Sequence, residues 1–254
     1  MLEVRGATRR FGNLVALQDA TLSVDEGEFV TIVGASGCGK TTLLRLIAGL
    51  DQDYTGEITL RGQRIVGTSL ERGIVFQEPR LLPWLTLWDN IAIALDNAPL
   101  STAAKKDAIT AQIALVGLTG FEKAYPAALS GGMAQRAAIA RALVGHPSIL
   151  LLDEPLGALD AITRMRLQEE LLRIWRHERV SMILVTHDVE EAVFLSQKIV
   201  VMDSSPGHVT ANIALDLPFP RDRSSAEFGA FKRQIFDALH DNAAVKPPEI
   251  EYLI

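Results

Sequence analysis

An α/β fold built on a parallel sheet is predicted by three features of this 254-residue chain. First, apolar strand segments alternate with helix-forming ones after Ser148: Ile149 to Leu152, then a helix from Thr163 to about His177, then Met182 to Val185, a helix starting near Val189, and Lys198 to Met202. Such alternation requires crossovers, and crossovers make parallel sheets covered on both faces. Second, the β-branched and aromatic run over 29–33 feeds a glycine-rich turn that leads straight into helix-forming residues 42–48. Third, an Ala-rich stretch from Ser101 to about Gly145, divided by Gly117, Pro126 and Gly131-Gly132, reads as a helical insert.

The glycine-rich turn is the centre of the reading. Gly34, Ala35, Ser36, Gly37, Cys38, Gly39, Lys40 and Thr41 fit the phosphate-binding pattern G-x-x-x-x-G-K-[ST] at every fixed position. Gly34, Gly37 and Gly39 let the backbone curl close to an anion, so that successive N–H groups and the helix N-terminus point at phosphate oxygens. Lys40 adds a positive charge for the β- and γ-phosphates, and the Thr41 hydroxyl is a ligand for Mg²⁺. Thr42 continues the same first turn.

Elsewhere the elements follow in order. Leu2 with Val4, and Leu22 with Val24, predict short half-buried strands separated from the next strand by a turn at 25–28. Phe11 is expected in the loop after the first of them, either stacking on a base or capping the core. Residues 56–65 read as a hairpin, and Ile74 to Phe76 as a strand ending at Gln77. Ser204 to Gly207 turn the chain back toward Val209, and Phe228, Phe231, Ile235, Phe236 and Leu239 have helical spacing. From Asp241 the chain is expected to fray.

Bulk properties set limits. A chain of this length with 48% hydrophobic residues buries a sizeable core, and no apolar run is long enough to span a bilayer. The first residues lack the basic stretch and apolar core of a secretion signal, so a cytosolic location is expected. A net charge of −6 argues against nucleic acid as a partner. The single Cys38 has no internal disulfide partner and reads as a small residue tolerated in the loop.

Downstream, the apolar strand at 149–152 ends in Asp153 and Glu154. A phosphate-loop enzyme needs this: Asp153 would hold Mg²⁺ with Thr41, and Glu154, pointing elsewhere, would orient or deprotonate the attacking water. Leu129, Ser130, Gly131, Gly132 and Met133, with Gln135 and Arg136 after them, then place a serine cap before a helix whose first N–H groups are exposed.

With this segment the chain resembles the ATP-binding cassette (ABC) ATPases, whose signature usually ends in glutamine where Met133 stands. Methionine cannot offer an amide, whereas the backbone contribution of Ser130, Gly131 and Gly132 survives. Gln77 resembles the family's glutamine loop, Gly157 to Asp160 its D-loop, His187 its switch histidine, and Phe11 the aromatic that stacks on adenine.

The resemblance implies a P-loop NTPase (RecA-like) parallel-sheet core with an N-terminal antiparallel β subdomain and an inserted α-helical subdomain. The cassette would cover 1–240, with a core lobe at about 1–90 and 147–220, the insert at about 91–146, and a tail at 241–254. Implied roles are catalytic for Glu154, His187, Gln77 and Lys40, Mg²⁺-binding for Thr41, Gln77 and Asp153, and ATP-binding for the phosphate loop, Phe11, Ser130, Gly131, Gly132 and Asp160.

In this family the signature of one subunit closes on the phosphate loop of another, so a homodimer is implied. A membrane permease partner is implied too, with a periplasmic binding protein acting indirectly and the chain peripheral on the cytoplasmic face. Leu81, Leu82, Pro83, Trp84, Leu87 and Trp88 suit either an interface anchor for that permease or a local core cluster. Leu-Leu-Pro-Trp at 81–84, Gly-Gly-Met at 131–133 and Pro-Phe-Pro-Arg-Asp-Arg at 218–223 resemble importers of the nitrate, sulfonate and taurine group. An ATPase for another ABC transporter class, or a soluble ABC protein, is the alternative.

Overall fold

A computed structural model describes residues 1–204 and 206–240. The chain opens with β1 (Leu2–Phe11), β2 (Leu14–Val24), β3 (Phe29–Gly34) and α1 (Lys40–Ala48). The hairpin β4 (Thr55–Leu60) and β5 (Gln63–Arg64) precedes β6 (Arg72–Val75). Three helices follow, α2 (Leu87–Ala92), α3 (Thr102–Leu115) and α4 (Gly131–Leu143). Then come β7 (Ile149–Asp153), α5 (Ala161–Glu178), β8 (Ser181–Thr186), α6 (Val189–Leu195), β9 (Lys198–Asp203), β10 (His208–Ala214) and α7 (Ala226–His240).

Two sheets result. The first is antiparallel in the order β2-β1-β4-β5, and the second runs β10-β9-β3-β8-β7-β6. In the second, β9, β3, β8, β7 and β6 are mutually parallel and β10 is an antiparallel edge. Every residue of β3 and β8 is buried, as expected of strands covered on both faces.

The period of two along these strands divides the core. Phe29, Val33, Leu150, Leu152, Met182 and Leu184 face the side packed by α2 to α7. Val30, Ile32, Ile149, Leu151, Ile183 and Val185 face α1 and the antiparallel sheet. Each such side chain contributes roughly 1.5–3 kcal/mol on burial, so the central strands are anchored from both sides. Their carboxyl ends, where side chains emerge from the core, are therefore held rigidly.

The first hairpin is longer than its apolar residues indicate, because β1 continues through Ala7 and Arg9 to Phe11. Arg9 occupies an inward position, paired with Asp51 at 2.9 Å and with Asp53, and a charge at that position hides the alternation. Gly6, at φ 60°, carries the irregularity that shifts the register between Val4 and Ala7. Phe11 thus ends a strand and does not sit in a loop.

At the other boundary, β6 stops at Val75, before Phe76. A helix also starts earlier than expected, at Leu87: the Thr86 hydroxyl accepts the Asp89 N–H at 3.1 Å and caps α2. Leu87 is core, Trp88 packs against the core, and Trp84 is 70% exposed. The apolar stretch therefore divides, with its middle at the surface and its end inside. Among the described residues no helix is long and apolar enough to cross a membrane. The stretch from Asp241 lies outside the described residues, as does Ser205 in the turn expected at 204–207.

Candidate nucleotide site

The phosphate loop leaves the carboxyl end of β3 and curls over a cavity of about 350 Å³. Ser36, Gly37, Lys40, Thr41 and Glu154 line it together with Leu14 and Ala16. Gly34 is obligatory for packing, since a Cβ there would lie 2.4 Å from the Met202 carbonyl oxygen. Gly39 is obligatory for conformation as well: at φ 91° it is left-handed, and a Cβ would lie 2.7 Å from the Ala16 carbonyl oxygen.

Lys40 is buried and folded back on the loop. Its Nζ donates to the carbonyl oxygens of Gly34 and Ala35 at 2.8 and 2.9 Å. The ammonium is thereby held at the cavity wall by neutral acceptors, with no carboxylate paired to it among the described residues, available to an anion. Cys38 is buried beneath the loop, and burial pushes its thiol above the usual range. It stays a protonated filler, as its place in the motif indicates.

The helix that follows is set apart by its cap. α1 begins after Gly39 with no side-chain hydrogen bond to its first turn. By contrast, Thr86, Ser101, Ser130, Asp160 and Asp188 cap α2 to α6. Uncapped N–H donors facing an open cavity, beside a lysine, are what a phosphate group requires.

Asp153 ends β7, two strands from β3, and its Oδ1 accepts the Thr41 hydroxyl at 2.9 Å. Burial raises the Asp153 carboxyl, the neighbouring Glu154 charge adds to the rise, and the Thr41 hydrogen bond and Lys40 oppose it. Two hard oxygen donors in contact, one of them a carboxylate pushed toward neutrality, fit Mg²⁺, whose charge would restore ionisation.

One residue later the backbone turns. Glu154 takes φ 46°, its N–H donating to the Val185 carbonyl at 3.0 Å. A non-glycine residue in this region is uncommon, and the turn aims the carboxylate away from Asp153. Glu154 Oε2 lies 3.3 Å from His187 Nδ1. His187 follows β8 directly, and the Asp188 side chain caps α6 behind it. A Cβ built on Gly157 would sit 3.4 Å from Gln77 Nε2 and 3.8 Å from Glu154 Oε2. Gln77, Glu154 and the start of the 157–160 loop are therefore neighbours. The structure brings Lys40, Thr41, Asp153, Glu154, His187 and Gln77 to one end of the parallel sheet.

Phe11 stands apart from these. It pairs with Leu14, which lines the cavity, and its exposed ring lies 4.2 Å from the Arg9 guanidinium. It is a rim residue, presented by the hairpin tip.

Ser130, Gly131 and Gly132 are not in the phosphate-loop cavity. Ser130, Gly132 and Met133 line a second one, of about 310 Å³, with Arg136 and Thr163. The Ser130 hydroxyl oxygen accepts the Met133 N–H at 3.3 Å and caps α4, which needs nothing from the methionine side chain. Gly132 is buried, and a Cβ there would meet Thr163 Cγ2 at 2.7 Å. The Asp160 carboxylate caps α5, accepting from Ile162 and Thr163 N–H at 3.1 and 3.0 Å, and the Thr163 side chain, with these bonds, holds it below the usual carboxylate range.

Sequence reasoning grouped Gln135 with the segment after Ser130 but missed Arg141, and missed that the two fix the Gln77 loop. Gln135 Nε2 donates to the Phe76 carbonyl at 3.1 Å, and Arg141 donates to the carbonyls of Pro79 and Arg80 at 2.8 and 2.9 Å. Both sit on α4, so the helix capped by Ser130 also holds the loop that carries Gln77. Asn90 was missed too: its buried amide accepts the Leu82 N–H at 2.7 Å and donates to the carbonyls of Leu82, Leu85 and Thr86. The T-x-x-D spacing at Thr86 and Asp89 was the available signal for that helix start.

Comparison with known proteins agrees with this arrangement. Residues 17–157 match the family model described as ABC transporter. The chain is 47% identical over 228 residues, 90% of each chain, to an aliphatic sulfonates import ATP-binding protein SsuB of Bacillus cereus. It is 46% identical over 244 residues to the uncharacterized ABC transporter ATP-binding protein MJ0412 of Methanocaldococcus jannaschii, covering 94% of this chain and 91% of that one. Among solved structures it resembles the ATP-binding cassette MJ0796 in a dimeric post-hydrolysis state bound to ADP and Pi, with TM-score 0.72, 30% identity, and coverage of 85% of this chain and 99% of that one. The chain belongs to the ABC transporter family, as an ATP-hydrolysing subunit.

Proposed function

We propose that two copies of this chain close on two ATP molecules and that hydrolysis drives import of a small anionic solute, of the nitrate, sulfonate or taurine type, through a partner permease. The observation that carries the pairing is the separation of the two half-sites: Lys40, Thr41 and Glu154 line one cavity, and Ser130 and Gly132 another. A single copy presents two incomplete halves, and a second copy supplies the missing one. The likeness to sulfonate import ATP-binding proteins over nine-tenths of the chain supports the direction and solute class. On this reading the chain is peripheral at the cytoplasmic face, a binding protein delivers solute to the permease, and residues 1–240 form the cassette with its helical insert at about 91–146.

The chain's own residues divide the work. Gly34, Ala35, Ser36, Gly37, Cys38, Gly39, Lys40, Thr41 and Thr42 wrap the phosphates with N–H groups, and the Lys40 ammonium meets the β- and γ-phosphates. Thr41, Asp153 and Gln77 would hold Mg²⁺, which when bound neutralises charge on the phosphate oxygens. Glu154 orients a water and takes its proton as the water oxygen bonds to the γ-phosphorus. The bond to the bridging oxygen breaks and its electron pair leaves with ADP. His187, held at Glu154, sits where it can steady that carboxylate and the γ-phosphate. Phe11 stacks on adenine, and Asp160 fixes the start of α5 beside the partner's phosphate loop. Ser130, Gly131 and Gly132 of one copy present the capped end of α4 to the γ-phosphate held by the other.

The test is phosphate release by the chain reconstituted with its permease and binding protein in vesicles. Release stimulated by an alkanesulfonate, taurine or nitrate, and accompanied by uptake, is expected. Hydrolysis indifferent to all three anions, with no uptake, contradicts the solute class.

A further inference from the structure

Away from both half-sites, a third cavity of about 570 Å³ opens between α5, α6 and the loop after β10. This lies within the range of about 300–1,000 Å³ usual for small-molecule sites. Its walls are of two kinds. Leu172, Phe194 and Pro220 are apolar, while Arg173, Arg176, Arg221 and Arg223 bring four guanidinium groups against two carboxylates, those of Glu169 and Asp222. Asp222 is turned to its own loop, where Oδ1 accepts the Ser224 N–H and O–H at 2.8 and 2.7 Å.

The arginines are not equivalent. Arg223 is engaged, donating to Glu190 at 3.1 Å and Gln168 at 2.5 Å, and Arg173 donates to the Leu115 carbonyl. Arg221 is 7% exposed and among the described residues has only neutral partners: Nε donates to the Leu217 carbonyl at 3.1 Å, and Nη1 to the carbonyls of Ser196, at 2.6 Å, and Val193. Among the described residues its Nη2 donates to no protein group. Burial alone moves this guanidinium, lowering its pKa to about 10. A buried cation with no counter-charge is costly and is normally paired. The Phe219 ring holds Arg221 and Arg176 at once, their guanidinium carbons 4.1 and 5.1 Å from its centroid, so two positive charges are gathered on one aromatic group.

We propose that this cavity binds a small organic anion, an oxyanion head carrying a short apolar chain. The head meets Arg221 Nη2 and the Arg176 guanidinium, and the chain lies along Leu172 and Pro220, beside the Phe194 ring, one face of which the Arg223 guanidinium covers at 3.9 Å. A bare inorganic ion leaves the apolar wall wet, and a neutral alcohol leaves Arg221 without a counter-charge, so both bind more weakly. The site is separate from the phosphate loop and does not rest on the transport reading.

Titration calorimetry of the full chain tests this with hexanesulfonate, hexanol and sodium sulfate as probes. Saturable hexanesulfonate binding is expected, roughly tenfold or more tighter than either other probe, as loss of a charge-assisted contact implies. It is expected to persist with saturating Mg-ATP and to weaken by a similar factor in Arg176→Gln, whose side chain is exposed and whose loss leaves the fold and ATP binding intact. Arg221→Gln is expected to abolish binding; because Arg221 also ties the loop to α6, Arg176→Gln is the deciding variant. No hexanesulfonate binding, hexanol binding equally well, displacement by ATP, or unchanged affinity in Arg176→Gln each overturns the proposal.

Discussion

α1 begins just after Gly39 and α4 at Gly131, and both turn their first N–H groups toward an open cavity, yet they are finished differently. α1 follows Gly39 with no side-chain cap and with Lys40 folded beside it, whereas α4 follows Ser130, whose hydroxyl oxygen already accepts the Met133 N–H. The difference separates two tasks. The uncapped end with its ammonium has unmet donors and positive charge, so it is suited to take a triphosphate first. The capped end has one donor met by its own serine and retains the serine O–H and the N–H groups of Gly131 and Gly132 to offer, so it is suited to close on phosphate that is already held.

The comparison is broken most severely at Glu154. Glu154→Gln is expected to lower turnover by about 10²–10⁴-fold, the range for loss of a general base, while equilibrium titration shows ATP binding retained. Turnover near that of the wild type would remove Glu154 from this role. Next in size, Lys40→Ala is expected to weaken nucleotide binding about 10- to 100-fold, from about 1.5–3 kcal/mol per hydrogen bond to a charged group. Ser130→Ala in the same titration of the single subunit should bind nucleotide as the parent does, and a loss there would place Ser130 on the wrong side of the comparison.

Smaller effects sharpen it further. Ser130→Ala removes a helix cap and should cost about 1 kcal/mol in denaturant unfolding, with Ser130→Gly costing less. The Asp160 cap adds a pH dependence. Its carboxyl is held below its ordinary value first by a hydrogen bond from the Thr163 side chain and then by the N–H groups it accepts, so its contribution is present above the unfolded value near 3.9 and is lost as pH falls through the folded one. Asp160→Asn caps without ionising and should flatten this part of the acid unfolding curve; an unchanged curve would show that the cap contributes nothing there. Met133→Gln should leave turnover equal or higher, because the cap uses the backbone N–H at this position. A large loss would contradict it.

Much of this was legible in the sequence because it rests on short-range rules. The run from Phe29 to Ala48 is strand, glycine turn and helix in order, and the Asp153-Glu154 pair stands at the end of an unbroken apolar strand. What was hidden depends on contacts distant along the chain. Arg9 is buried by acids more than forty positions away, which disguised the length of β1 and misplaced Phe11. Arg141 reads as an ordinary helix residue, and Gln135 as a companion of the Ser130 segment, until the loop carrying Gln77 is seen lying across them. The division of Trp84 from Leu87 and Trp88 likewise depends on Asn90 pinning the segment between them. The anion cavity had no sequence signal beyond a cluster of arginines near Phe219, since its walls come from α5, α6 and a loop.

Sedimentation velocity of the Glu154→Gln chain, with and without Mg-ATP, tests the central claim most directly. A monomer that becomes a dimer on adding Mg-ATP, and that fails to do so when Ser130→Arg is added, is the predicted result. A chain that remains monomeric at saturating Mg-ATP, or one that dimerises equally well with Ser130→Arg, would contradict the account.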